Sequence, residues 1–146
     1  DKVVGRVCLI HSLYQESHAD KIDRLAAAAG IVQDVLIEVN DGESNKQGVA
    51  DENLIDMLTH CAALKHVRVK GLMIMAPIGD ASVARATFKR LRELRDAAQS
   101  DLAARGIDME LHELSMGMSN DYSEGIGEGA TMVRIGRAIF SADYAG

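Results

Sequence analysis

A chain of 146 residues, 47% of them hydrophobic, can bury one sizeable core, so a single domain spanning 1–146 is expected. The formal charge of -6, with acids and bases interspersed, argues against a nucleic-acid surface, which needs clustered Lys and Arg. No apolar run approaches a membrane span and no signal-peptide pattern is present, and with 3% aromatic residues and no Trp the packing must be aliphatic.

The first apolar run, "VCLIHS" at 7–12, reads as a strand, and Cys8 within it suits a small buried hydrophobe. Ile22, Leu25, Ala26 and Ala29 then form a helical stripe that Gly30 can end. A second strand, "VLIEVN" at 35–40, carries Asn40 at its end, followed by Glu43 and Lys46 in a loop. Asp51 is placed to cap a helix whose apolar face is Leu54, Ile55, Leu58 and Cys61. The third strand is "VKGLMIM" at 69–75. The longest helix starts near Asp80, carries Val83, Thr87, Phe88, Leu91, Leu94, Ala98 and Leu102, and stops at Gly106. "LHELSM" (111–116) and "TMVRIG" (131–136) read as the last strands. Between them lies a short helix at 119–128, weakened by Gly125, and a further helix is expected near Ala138. Near-continuous apolar strands alternating with helices make this an α/β chain of parallel strands with right-handed crossovers.

Two architectures fit that order. A doubly wound open sheet of five strands suits the length. A (β/α)8 barrel typically needs about 250 residues and eight units. The candidate chemistry points the other way. Ser115, Gly117 and Ser119 crowd one strand end, and Arg134, Ile135 and Gly136 follow at the next. Phosphate is the ligand such a pattern suggests first, and barrels often hold it after their last two strands. Turn and N-cap roles for the two serines remain the plainer alternative.

"LSMGMSNDY" and "GATMVRIGRAIF" closely resemble the C-terminal signature of the pyridoxal phosphate homeostasis protein family. "IHSL" (10–13), "VNDGESNKQGV" (39–49) and "GLMIMAP" (71–77) match the same family in the same order. The resemblance covers nearly the whole chain. It implies a TIM-type barrel like the N-terminal domain of alanine racemase, carrying pyridoxal 5'-phosphate (PLP), in a cytoplasmic protein of vitamin B6 homeostasis without an established reaction. The family's PLP-bearing lysine lies on the first barrel strand, before any segment present here, so the chain looks like the last five of eight β-α units. Its missing N-terminal piece, or self-association, is then expected to cover the open barrel, and PLP-dependent acceptor enzymes are possible partners.

By the same resemblance, Ser115 is a phosphate ligand through its hydroxyl, with amides near Gly117, Met118 and Ser119 helping. Ile135 and Gly136 contribute backbone N–H groups. Arg134 faces the pyridine nitrogen, which it cannot protonate, so the ring is a poor electron sink. Asn40 lies at the active face, though an ordered loop held by a Glu43–Lys46 pair explains it equally well. The alternative class is an amino-acid racemase or decarboxylase, but enzymes of this architecture add a β-rich domain, and none is expected within ten residues of the last strand. The five histidines show no metal spacing with Cys8 or Cys61 and read as surface or strand-end residues. Met73, Met75, Met116 and Met118 are expected to pack the barrel interior.

Overall fold

The computed structural model describes residues 3–42 and 47–134. Five strands, β1 (Leu9–Leu13), β2 (Gln33–Glu38), β3 (Val67–Ile74), β4 (Glu113–Met118) and β5 (Met132–Arg134), form one sheet. Four helices connect them: α1 (Glu16–Ala29), α2 (Leu54–Ala62), α3 (Ala81–Ala104) and α4 (Tyr122–Gly127). The segment around Ala138 lies outside the described residues.

The strand order decides between the two architectures. A doubly wound sheet reverses its order at a switch point, so that helices cover both faces. Here every neighbouring pair is parallel and the order is strictly β1-β2-β3-β4-β5. Right-handed crossovers in one direction put all the helices on one face, and α1–α2, α2–α3 and α3–α4 are each in contact. The result is a partial (β/α) barrel of five strands.

The two faces differ in content. Val35, Ile37, Val39, Leu72, Ile74, Leu114 and Met116 pack outward into a cluster with Leu58, Phe88, Leu91 and Leu102 from the helices. Strand pleating then turns Leu36, Glu38, Met73 and Ser115 to the opposite, concave face, where all four are buried. Curvature is visible in one contact: His11 Nδ1 on β1 lies 3.2 Å from Ser115 Oγ on β4. Three strand spacings amount to roughly 14 Å in a flat sheet. Two side chains this short meet only because the sheet curls.

Irregular pairing helps it curl. The β1–β2 register shifts between Ile10 and Leu13, and the β2–β3 register between Val35 and Leu36, where the partner skips from Val69 to Gly71. Each adds one residue, as a bulge does, bending the strand and resetting which side chains face inward. At Gly71 the backbones approach so closely that a Cβ would lie 1.8 Å from the Glu113 carbonyl oxygen.

Local signals mostly act as the residues suggest. Gly30 ends α1 with φ +69, and Asp80 caps α3 by accepting from the N–H groups of Ser82 and Val83. Asp51 does not cap α2. It opens a single 3-10 turn (Asp51–Asn53) and its carboxylate is taken by Arg90 of α3, 2.5 Å away. Cys8 is exposed, contrary to its apolar setting, whereas Cys61 is buried. Of the four methionines expected in the barrel interior, only Met73 and Met116 are buried, and Met116 packs toward the helices. Met75 and Met118 are exposed at the carboxyl ends of their strands.

Candidate functional site

The carboxyl ends of β3, β4 and β5 surround a cleft of about 780 Å³, lined by Pro77, Ile78 and Asp80 on one side and by Ser119, Asp121 and Arg134 on the other. Its β4 wall is shaped by close backbone packing. Gly117 has φ +108, and a Cβ there would meet Tyr122 Cα at 3.0 Å. A Cβ on Gly125 would lie 2.5 Å from the Met116 carbonyl oxygen, so the glycine that weakens α4 as a helix lets it sit down on β4. The turn between them is closed by the Met118 N–H donating to Asp121 Oδ1 at 2.5 Å. Met118's amide is therefore already engaged.

Ser115 is fully buried on the concave face, three residues before the carboxyl end of β4 at Met118. Its hydroxyl is in hydrogen-bond reach of His11 Nδ1. His11 is half-buried, and burial together with the positive charge of Arg134 pushes its imidazole below the ordinary range.

Arg134 reaches from β5 past β4, donating from Nη2 to the Ile74 carbonyl at the end of β3 (2.8 Å). Its Nε is buried and has no hydrogen-bond partner among the described residues. Burial pushes the guanidinium pKa down, and the carboxylates of Glu38 and Asp121 pull it back up. Glu38, buried on the concave face of β2, also accepts from Gln47 Nε2 at 3.2 Å. Arg134 is thus a partly buried cation whose Nε has no partner among the described residues, close to His11 and to the carboxylates of Glu38 and Asp121.

Asn40 sits just beyond β2, and both ends of its side-chain amide serve its own loop. Nδ2 donates to the Gln47 carbonyl at 2.9 Å, and Oδ1 accepts from the Gly42 N–H at 2.7 Å. Ile135, Gly136, Glu43 and Lys46 lie outside the described residues. Among those described, Lys21 is on α1, Lys65 precedes β3, Lys70 is in the amino-terminal half of β3 and Lys89 is on α3. None stands at the carboxyl mouth. No cluster of three metal-binding side chains occurs among the described residues, and none of their helices is long and apolar enough to cross a membrane.

His11, Glu38 and Asp121 were not among the residues singled out for the site. His11 lies in the "IHSL" motif, but strict alternation would put it on the same face as Leu13, which packs against the helices. The β1 bulge separates the two, and a bulge has no clear signature in that stretch.

The model of the family described as alanine racemase, N-terminal domain, matches residues 4–143. The chain belongs to that family. Within it, the chain is 46% identical over 140 residues to a pyridoxal phosphate homeostasis protein of Aquifex aeolicus, covering 94% of this chain and 59% of that protein. Another protein of that name, from Deinococcus radiodurans, is 36% identical over 140 residues, with 96% and 61% covered. Among solved structures, PipY of Synechococcus elongatus with PLP bound superposes with a TM-score of 0.86 at 30% identity, over 96% of this chain and 64% of PipY. The chain therefore spans about three-fifths of these relatives. The resemblance carried by the quoted motifs extends along nearly all of it.

Proposed function

We propose that this chain forms the carboxyl-side part of a PLP-binding barrel, and that the protein carrying it holds PLP for cellular supply and does not transform amino acids with it. The observation that carries this reading is Arg134. A buried donor left unmade costs roughly 1–3 kcal/mol, and Arg134 Nε, at the barrel mouth beside the cleft, is buried with no partner among the described residues. A pyridine nitrogen is an acceptor of the right kind. The similarity to pyridoxal phosphate homeostasis proteins, and PLP bound in PipY, support PLP as the molecule that brings it.

When bound, PLP supplies an aldehyde and an electron-accepting ring. Arg134 would donate to the ring nitrogen without surrendering its proton, which would keep the ring a weak electron sink and favour holding over transamination. The hydroxyls of Ser115, within β4, and Ser119, just beyond its end, would hold the phosphate. The Met118 amide is committed to Asp121, and Ile135 and Gly136, to which the resemblance assigns phosphate-binding N–H groups, lie outside the described residues. Asn40 contributes by shaping the loop next to the mouth. Covalent attachment requires a lysine from outside the described residues. The partners proposed are the remaining barrel segment or a second copy of the chain, and PLP-dependent acceptor enzymes.

PLP titration of the full-length protein, followed by absorbance, tests this reading. A charged acceptor loses about 1.5–3 kcal/mol with one good donor, so Ser115→Ala is expected to weaken PLP binding roughly tenfold or more. Unchanged affinity would make Ser115 a packing residue.

A further inference from the structure

We infer that His11 is a positioning residue of this site, holding the Ser115 hydroxyl in the orientation that a phosphate-bearing ligand needs. The inference rests on the PLP reading above. Its basis is the 3.2 Å contact across the concave face, between strands that are not neighbours in the sheet. The strands between them present Leu36 and Met73 at this level, both buried and neither charged. The charge that acts on the ring is Arg134 on β5, which is itself offset by Glu38 on β2 and Asp121 beyond β4, while the Asp34–Arg68 pair lies toward the amino-terminal ends of β2 and β3. Ser115 is fully buried, so water does not compete for its oxygen.

A hydroxyl has one proton and two lone pairs. Without ligand, Ser115 Oγ–H can donate to His11 Nδ1. Once that proton is directed to a phosphate oxygen, Ser115 can only accept from the histidine. A neutral imidazole meets both needs, because its proton can sit on either ring nitrogen. A neutral His11 therefore keeps Ser115 anchored in both states, and burial followed by the charge of Arg134 disfavours its protonation.

The test compares His11→Asn with His11→Gln in the full-length protein, titrated with PLP and with pyridoxal, which lacks the phosphate. The Asn amide reaches the Nδ1 position and can donate or accept, whereas the Gln amide is one methylene too long. His11→Gln is expected to weaken PLP binding roughly three- to tenfold, the effect of one neutral hydrogen bond. His11→Asn should stay near wild type, and pyridoxal affinity should not change in either. In a Ser115→Ala background the Asn–Gln difference should vanish. Equal behaviour of the two amides toward PLP, or the same loss for PLP and pyridoxal, would overturn the role while leaving the cofactor reading intact. Wild-type protein that binds no PLP would overturn both.

Discussion

Gly71→Ala is the substitution that most directly links the fold to the site. An alanine Cβ would lie 1.8 Å from the Glu113 carbonyl oxygen, where ordinary contact begins at 3.4 Å. The obstacle is backbone of the paired strand, so β4 must withdraw by well over an ångström. Overpacking of this kind costs about 1–3 kcal/mol, and the strained Gly71–Glu113 ladder adds about 1 kcal/mol for each hydrogen bond lost. Alanine returns only about 0.5–1 kcal/mol of chain entropy. With one ladder bond lost, the net expectation is a loss of about 1–3.5 kcal/mol, or roughly 3–12 °C in Tm for a domain of this size. The same register sets Ser115 opposite Met73, so ligand binding should fall with stability. Urea and thermal unfolding followed by far-ultraviolet circular dichroism measure the first effect. A variant within about 0.5 kcal/mol of wild type would refute the close β3–β4 approach.

Thiol labelling should separate the two cysteines. Exposed Cys8 reacts at once, while Cys61, whose thiol is pushed up to about 12 by burial and then by Glu16 and Asp20, reacts only on unfolding. Stability should also respond to His11: its folded pKa lies below the unfolded value of about 6.5, so its contribution is complete above that pH and erodes as pH falls toward the folded pKa. Urea midpoints between pH 7.5 and 5 should therefore fall more steeply for wild type than for His11→Asn. Among the described residues β1 and β5 each keep one unpaired edge, a known hazard. Light scattering on the isolated chain should thus give a mass above the monomer's 15.7 kDa, and a stable soluble monomer would count against an open barrel.

The alternation of elements was legible because each strand is a short apolar run and each long helix carries its stripe. Gly30, Gly106 and the Asp80 cap marked helix ends from local chemistry alone. Arg134 was legible through its motif, though its buried Nε and its reach to Ile74 are not. What escaped depends on distant residues. Asp51 looks like a cap until Arg90, 39 residues away, claims its carboxylate. Met75 and Met118 look like core until the curvature places them on the rim. His11 looks like a surface histidine until a bulge turns it inward and the curled sheet brings β4 within reach. Strand order, the feature separating barrel from open sheet, is a property of pairing and is absent from any local pattern.

The most direct measurement is the spectrum and affinity of PLP in the full-length protein and its Arg134→Ala variant, with inorganic phosphate as competitor. Stoichiometric binding by wild type is expected, and the substitution should shift the absorption of bound PLP while leaving phosphate competition nearly unchanged, because Arg134 addresses the ring. No binding by wild type, or equal loss of ring and phosphate interactions in the variant, would contradict the site as placed around Arg134.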